Sequence, residues 1–531
     1  MVEHPVVFVA FQEFDNLGVG YVASMLSVKG YKTHIIDFRN SREEILELIR
    51  RENPLVVGFS VIFQYHIYEF RELIDYLRKS GIKSHFSAGG QYASMRYEDL
   101  FNLIPSLDSI VRFEGEYTFL EVVNCIHSGS DWRKIKGLAF KENGTIKITP
   151  LRPPEMDLDK FPFPVRTRPG NFALDRKFST LIAGRGCINN CSFCNNTEYI
   201  RQSSVPFRRL RKPEMVADEI DFLHHKKDCS VFLFEDDDFP VKTSNGSDWT
   251  ERFCRALKKK KLVKKIIWKI NCRPDEVDYE SFKMMKDHGL FLTFLGIDDG
   301  TDNGLARLNK HMKLEDSLRG ISTLKDLEIG FDYGFMLFQP ASSFNSVNDN
   351  LNFLIQLCSD GYTSVSFLKT EPFFDTRIEK ELRKEGRLNG IPGFLDYDFL
   401  ISSLDHYYKF VSGLFMEWIN DSEGVSNIIR WARNYYSVFS YFYKMTPEVQ
   451  TLWTEIRKTA AQSNIFVLDR MKELSLIFET GKYEADLFSN LAGYTKNVKA
   501  GHDQFREQLV NSTKQISKLA ESQRLYQLIK F

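Results

Sequence analysis

Short apolar runs alternate with amphipathic stretches along the first third of the chain. The runs that read as buried strands lie at 6–10, 32–37, 55–59, 85–87 and 109–112. Helical patterns lie between them, notably 19–29, 67–79 and a helix that begins at Ser41, with Glu44 placed three residues later for a capping box. Strands and helices that alternate at this spacing predict an open parallel sheet.

The carboxyl ends of these strands carry small and polar residues. In an open parallel sheet, ligands bind at those ends. Ser60 follows the third strand, Gly89 and Gly90 follow the fourth, and Glu114-Gly115-Glu116 follows the fifth. Glycines there allow the backbone to approach a flat ligand closely, although tight turns alone explain the same residues.

A second series of strands and helices follows a proline-rich segment at 150–170, which marks a linker. Its apolar runs predict strands near 180–183, 231–234, 266–270, 292–296, 334–338 and 364–367. Six strands with helices between them predict a partial (β/α)6 barrel, with chemistry on the loops at the carboxyl ends of its strands.

From about residue 395 the apolar spacing changes to three and four, which predicts a helical region that ends in a polar helix near 503–529. The predicted fold class is therefore α/β. We expect a Rossmann-like, doubly wound sheet at 1–150, a linker at 151–175, the barrel at 176–394 and helices at 395–531.

Composition narrows the functional classes. The 531 residues include 71 Lys and Arg and 71 Asp and Glu, so the net charge is zero, which argues against a nucleic-acid-binding protein. No apolar run reaches the roughly 18 residues that a spanning helix needs. The first residues lack the basic segment of a secretory signal. We therefore expect a cytoplasmic protein with no membrane or nucleic-acid partner.

Three of the eight cysteines are bunched as Cys187, Cys191 and Cys194, in a loop rich in Gly and Asn that follows a predicted strand. A loop lets three thiolates converge on one centre, and thiolates are suited to zinc or iron–sulfur sites. No further Cys or His follows within 25 residues. A structural zinc site needs a fourth ligand, so the pattern favours a cluster with one open metal position.

At these residues the sequence resembles the radical S-adenosylmethionine (SAM) superfamily, whose signature has this cysteine spacing with an aromatic residue, here Phe193, before the third cysteine. The resemblance implies a [4Fe–4S] cluster held by Cys187, Cys191 and Cys194. It also implies that S-adenosylmethionine chelates the open iron through its amino and carboxylate groups, and that its cleavage yields a 5′-deoxyadenosyl radical that abstracts hydrogen.

The same resemblance implies positions for the SAM site. Glu235 or Asp236, in a run of four acids after the second barrel strand, would receive the ammonium group. Arg273 would pair with the carboxylate, and Asp298 would accept hydrogen bonds from the ribose hydroxyls. Solvated acids and surface salt bridges remain alternative interpretations of these residues. No catalytic residue is assigned.

The segment from Val6 to about Pro164 resembles the cobalamin-binding domain that precedes the barrel in one large radical SAM subfamily. The resemblance places the corrinoid against Ser60 and its nucleotide tail against Gly89 and Gly90. One departure stands out, because the loop at 13–18 has no His to ligate cobalt from below. Cobalamin binding and a scaffold that has lost the cofactor both remain open.

Together these resemblances imply a cobalamin-dependent radical SAM enzyme that methylates an unactivated carbon of a secondary-metabolite or peptide-derived substrate. A flavodoxin or ferredoxin would supply the electrons. The alternative is a rearrangement, cyclisation or carbon–carbon bond formation with no methyl transfer, with or without cobalamin in the first domain.

Overall fold

The computed structural model describes residues 5–12, 15–167, 169–203, 205–241, 248–480 and 486–529. Glu13 and Phe14, part of the loop at 13–18 that has no His, lie outside the described residues.

The first domain is built on a seven-stranded sheet in the order β2-β1-β3-β4-β5-β6-β7. Its strands are β1 (Val6–Ala10), β2 (Thr33–Asp37), β3 (Val56–Ser60), β4 (His85–Gly89), β5 (Ser109–Val111), β6 (Leu138–Glu142) and β7 (Thr145–Ile148). Its helices are α1 (Leu17–Val28), α2 (Arg42–Glu52), α3 (Ile67–Lys79), α4 (Gln91–Met95), α5 (Tyr97–Leu103) and α6 (Glu116–Ser128). The five predicted strands pair in parallel, and β6 and β7 extend the sheet in antiparallel fashion.

Local sequence explains these elements. All five residues of β1 are buried, because helices cover both faces of a parallel sheet. The capping box predicted for α2 is present: the Ser41 hydroxyl accepts a hydrogen bond from the Glu44 amide, and the Glu44 carboxylate accepts one from the Ser41 amide.

The second domain contains a six-stranded sheet in the order β15-β14-β13-β12-β9-β8 and a two-stranded ribbon, β10-β11. Its strands are β8 (Gly170–Asn171), β9 (Lys177–Leu181), β10 (Gly184–Arg185), β11 (Arg209–Leu210), β12 (Cys229–Phe234), β13 (Ile267–Cys272), β14 (Leu290–Asp298) and β15 (Gly330–Phe335). Its helices are α7 (Asn195–Ser203), α8 (Pro213–Lys227), α9 (Trp249–Lys259), α10 (Tyr279–Asp287), α11 (Asp302–Arg307), α12 (Leu314–Asp326), α13 (Phe344–Cys358) and α14 (Arg377–Lys384). Within the six-stranded sheet, β9, β12, β13, β14 and β15 pair in parallel, as a partial barrel requires.

The prediction of a sixth barrel strand at 364–367 is wrong. That segment is buried but makes no ladder, and the nearest pairing is one isolated parallel bridge between Phe338 and Lys369. Side chains take its backbone hydrogen bonds instead: the Val365 amide donates to Asn464 Oδ1 at 3.0 Å, and the Ser366 amide donates to the Tyr333 hydroxyl. The apolar residues at 364–367 therefore indicated that the segment is buried, but they did not indicate that it pairs as a strand.

The C-terminal region is helical, but it begins later than predicted. A hairpin of β16 (Leu388–Ile391) and β17 (Phe394–Tyr397) occupies the predicted boundary at 395. The helices that follow are α15 (Ser402–Asn420), α16 (Val425–Phe442), α17 (Pro447–Glu479) and α18 (Asp486–Ile529). They share one hydrophobic core with the barrel. In the described part of the chain, every helix is too short or too polar to span a membrane.

Candidate active site

The three predicted cysteines lie together on the loop between β10 and α7, at the carboxyl end of the first long barrel strand. The barrel holds the middle of this loop, because the Ser192 amide donates to the Leu308 carbonyl and Asn309 Nδ2 donates to the Asn190 carbonyl at 2.9 Å. Phe193 is half-buried and packs against the hydrophobic core. The loop is thus anchored while its cysteines stay partly exposed.

The three thiols of this loop affect one another's pKa electrostatically. Burial raises the pKa of Cys194 to about 12, and the neighbouring Cys191 and Cys187 add to that shift. The Cys187 Sγ atom accepts from the Asn189 amide at 3.4 Å. Within the residues described, no three His, Cys, Asp or Glu side chains are already arranged around a metal position. Assignment of these thiolates to a cluster therefore rests on their residue type, shared loop and mutual influence.

Asp236, in the acidic run after β12, holds the start of the cysteine loop. Its buried carboxylate accepts hydrogen bonds from the amides of Ala183, at 2.9 and 3.0 Å, and Gly184, at 2.7 Å. Burial raises its pKa to about 7, and these two amides oppose a further rise. A carboxylate used in this way supports the backbone and has little capacity left for a ligand.

Glu235 is more accessible than Asp236, with a side chain that is 41% exposed. It lies 3.7 Å from Lys269 on the next strand. Burial raises the pKa of Glu235, and Lys269 opposes that shift. Of the two acids predicted to receive an ammonium group, Glu235 is therefore the more accessible to a ligand.

Arg273 is buried, so the alternative of a surface salt bridge is wrong. It donates to Asp275 Oδ1 at 2.9 Å and to the Lys310 carbonyl at 2.6 Å. Its buried Nη1 atom has no hydrogen-bond partner among the described residues. Arg273 thus keeps one free hydrogen-bond donor, and its charge acts on Cys191. Both properties suit a residue that binds an anionic group beside that cysteine.

Asp298 ends β14 in a left-handed conformation, with φ of 66°, and pairs with the buried Lys310 at 2.5 Å. Lys310 was not predicted from the sequence. Its charge also acts on Cys191, so two cations from different loops, Lys310 after α11 and Arg273 after β13, act on that cysteine. An isolated Lys in a loop gives no local signal of this position.

A cavity of about 410 Å³ lies between the first domain and the barrel. Ser60, Gly89 and Gly90 line it from the first domain. Glu235 and Asp236 line it from the barrel, together with the backbone at 184–186 that leads into the cysteine loop. The carboxyl ends of both sheets thus face one shared space, which has room for a flat ligand against the glycines.

Two contacts between the domains flank the cysteine loop, and sequence reasoning missed both. Before the loop, Arg185 donates to Glu114 at 3.1 Å and to Glu116 at 2.5 Å. After it, Gln91 Nε2 donates to the side-chain oxygens of Asn195 and Asn196, at 3.3 and 2.8 Å. The segments that line the first domain's side of the cavity therefore also hold both ends of the cysteine loop.

The ion pairs of Arg185 are well shielded. Its side chain is 20% exposed, and its guanidinium lies over the rings of Tyr21 and Phe161 at 5.1 and 5.3 Å. Burial disfavours its charge, but Glu116 and Glu114 outweigh that effect, so the pKa of Arg185 stands above its ordinary value. Arg209 also donates to Glu114.

We expect Arg185→Met to lower the free energy of unfolding by about 3 kcal/mol, because it removes the guanidinium that pairs with the buried Glu116 carboxylate and leaves Glu114 with Arg209 alone. The midpoint of urea unfolding, compared at equal slope, measures this loss. Arg252→Met is the matched control, since its pair with Glu214 is 41% and 51% exposed and is expected to contribute less than about 1 kcal/mol. Equal losses in the two variants would contradict a special role for Arg185.

Two family models match the chain, in an order that agrees with this architecture. The B12 binding domain matches residues 3–123. The Radical SAM superfamily matches residues 181–354, which include all three cysteines.

Curated relatives share the same two-domain region. An uncharacterized methyltransferase, PH0819, of Pyrococcus horikoshii is 25% identical over 376 residues, which cover 68% of this chain and 77% of the relative. The anaerobic magnesium-protoporphyrin IX monomethyl ester cyclase of Rubrivivax gelatinosus is 27% identical over 333 residues, which cover 58% of this chain and 56% of the cyclase. The match thus spans a little over half of the cyclase.

Among solved structures, the cobalamin-dependent S-adenosylmethionine radical enzyme OxsB, with aqua-cobalamin and S-adenosylmethionine bound, superposes with a TM-score of 0.67. The alignment covers 94% of this chain and 84% of OxsB at 17% identity, so it establishes a shared fold, including the helical C-terminal region. With this fold and the two family models in sequence, the chain belongs to the radical SAM superfamily, in the subfamily that carries a cobalamin-binding domain in front of the barrel.

Proposed function

We propose that this cobalamin-dependent radical SAM enzyme transfers a methyl group from S-adenosylmethionine to an unactivated carbon of its substrate. The observation that carries the proposal is the single cavity lined by Ser60, Gly89 and Gly90 from the cobalamin-binding domain and by residues 184–186 from the start of the cysteine loop. Chemistry that needs both cofactors requires such a shared space.

The residues present fit the three cofactors of the family. Cys187, Cys191 and Cys194 would hold the [4Fe–4S] cluster. Arg273 and Glu235 would bind the carboxylate and ammonium of S-adenosylmethionine, and Asp298 its ribose. Ser60, Gly89 and Gly90 would contact cobalamin. When bound, these groups supply the electron that cleaves S-adenosylmethionine and the cobalt that carries the methyl group.

The chain's own contribution is to orient these groups and to exclude water. Asp236 fixes the strand end from which the cysteine loop starts. Arg185 and Gln91 fix that loop relative to the first domain. Because reactive radicals must be kept from solvent, a cavity lined by two domains suits this chemistry.

We propose that the substrate is a small molecule or a peptide-derived compound of secondary metabolism. The methyltransferase named among the relatives supports methyl transfer. The reaction also needs an external one-electron donor, for which we propose a flavodoxin or ferredoxin.

Methyl transfer can be tested without knowledge of the substrate. After anaerobic reconstitution with iron, sulfide and hydroxocobalamin, the reduced enzyme is incubated with S-adenosylmethionine and the products are quantified by mass spectrometry. We expect one equivalent of S-adenosylhomocysteine per bound cobalamin, because the methyl group leaves S-adenosylmethionine, together with 5′-deoxyadenosine from reductive cleavage. Enzyme reconstituted without cobalamin is the control and should form only 5′-deoxyadenosine.

A second candidate function is cyclisation or rearrangement without methyl transfer, which the similarity to the cyclase favours. In that case 5′-deoxyadenosine forms while S-adenosylhomocysteine stays absent, even with cobalamin bound. This outcome would overturn the proposal of methyl transfer and keep the radical chemistry.

A further inference from the structure

A second recess, of about 410 Å³, lies on the outer side of the cysteine loop. Cys191 and Cys194 contribute to its floor, and α7 and α14 form its walls. It shares no lining residue with the cavity between the domains. Two of the three cysteines therefore border a surface that neither the cobalamin-binding domain nor the shared cavity reaches.

Helix α7 separates the two spaces. Asn196, Tyr199 and Ile200 line the cavity between the domains, whereas Thr197, Glu198 and Arg201 line the recess. Residues three and four apart share one face of a helix, so the two sets lie on different faces. A partner in the recess would approach the cysteines without entering the space in which cobalamin and substrate would bind.

The recess is basic in a chain whose net charge is zero. Its charged lining residues are four cations, Arg201, Arg377, Lys380 and Lys384, and two carboxylates, Glu198 and Glu381. The side chains of Arg201 and Arg377 are each 67% exposed and that of Lys380 is 54% exposed; of the two carboxylates, Glu381 is 55% exposed and Glu198 is 13% exposed. With four cations against two carboxylates, the recess carries a net positive charge.

We propose that this basic recess is the docking site for a flavodoxin, an acidic protein that carries single electrons. The inference rests on the proposed function, because a partner needs this position only if Cys191 and Cys194 hold a cluster that must be reduced. At each encounter the fully reduced flavin loses one electron and the cluster gains it. Complementary charge around a small contact gives the fast, weak and salt-sensitive association that electron transfer requires.

The test compares two double charge reversals of equal net change. Lys380→Glu/Lys384→Glu reverses the wall of the recess. Lys226→Glu/Lys227→Glu is the matched control, because these exposed residues lie at the end of α8, just before the amino end of β12 and thus at the opposite edge of the sheet. Binding of a purified bacterial flavodoxin to each reconstituted protein is measured by calorimetry at about 50 and 300 mM ionic strength.

We expect the recess variant to bind flavodoxin at least about tenfold more weakly at low ionic strength and to lose most of its salt dependence. The control variant should stay within about twofold of the unchanged protein. Equal weakening in both variants would show that only overall charge matters, and unchanged binding in the recess variant would place the partner elsewhere. Either result overturns the docking site.

Dithionite separates this inference from the proposed function. A small chemical reductant needs no docking surface, so the recess variant should cleave S-adenosylmethionine with dithionite at the unchanged rate and lose the flavodoxin-driven rate. Loss of both rates would show that the substitutions damage the cluster, and would overturn the assignment to docking. Failure of the unchanged protein with dithionite would count against the proposed function itself.

Discussion

Replacement of Cys187, Cys191 or Cys194 by Ala is expected to abolish both the iron–sulfur chromophore and the reductive cleavage of S-adenosylmethionine. Each variant removes one of three thiolates on a single anchored loop, and we expect no other protein ligand to replace it. The measurements are iron content, expected at about four atoms per chain in the unchanged protein, and the absorption band at about 400 nm after anaerobic reconstitution.

Cys125→Ala is the matched control for these variants. Cys125 is half-buried like the three loop cysteines, but it lies on α6 in the first domain. Its replacement should leave the iron content, the absorption band and the cleavage rate unchanged. A band that survives in any one of the three loop variants would refute the assignment of the cluster ligands.

Gly89→Leu is expected to weaken cobalamin binding by about 100-fold and to leave the cluster intact. A Cβ atom at Gly89 meets only ordinary contacts, 3.6 Å from the Val111 carbonyl oxygen, so the fold tolerates a side chain there. The rest of that side chain would occupy the cavity between the domains, and filling a binding site costs several-fold to hundred-fold in affinity. Cobalamin retained after desalting, read from its absorption spectrum, measures the effect.

Gly413→Leu controls for the added apolar bulk. Gly413 is exposed on α15, where a Cβ atom has no neighbour within 4 Å. This variant should retain cobalamin and cluster like the unchanged protein. Cobalamin retention in Gly89→Leu equal to that of the control would show that the cofactor does not lie against Gly89.

Sequence reasoning predicted the long parallel strands well because their burial on two faces leaves continuous apolar runs. The run at 6–10 and the helix at 67–79 have the predicted bounds. The segment at 364–367 misled the prediction for the same reason, since an apolar run reports burial and does not show which groups take its backbone hydrogen bonds. Here Asn464 and Tyr333 take them, and their positions lie far away in sequence or on another strand.

At the site too, features with a local sequence pattern could be predicted, whereas contacts between distant residues could not. The cysteine spacing, a local pattern, sufficed to predict the family. The partners of Arg185 could not be predicted, because Glu114 and Glu116 lie about 70 residues earlier and in another domain. Lys310 has no local pattern either, and only the folded barrel brings it to Asp298. Predicted positions of Glu235, Arg273 and Asp298 as SAM contacts stay predictions, supported by their placement around the loop.

The hydrogen bonds of Asn464 have a consequence for how the chain can be divided. The Asn464 side-chain amide accepts a hydrogen bond from the Val365 amide and donates to the carbonyls of Cys358 and Thr363. Helix α17, which carries Asn464, therefore satisfies backbone groups of the segment that follows the last barrel strand. Ser426 on α16 adds a bond to the Val365 carbonyl. The C-terminal helices are therefore an integral wall of the barrel. A fragment that stops at the hairpin would expose this unsatisfied segment and its apolar core, and it is expected to aggregate when expressed alone.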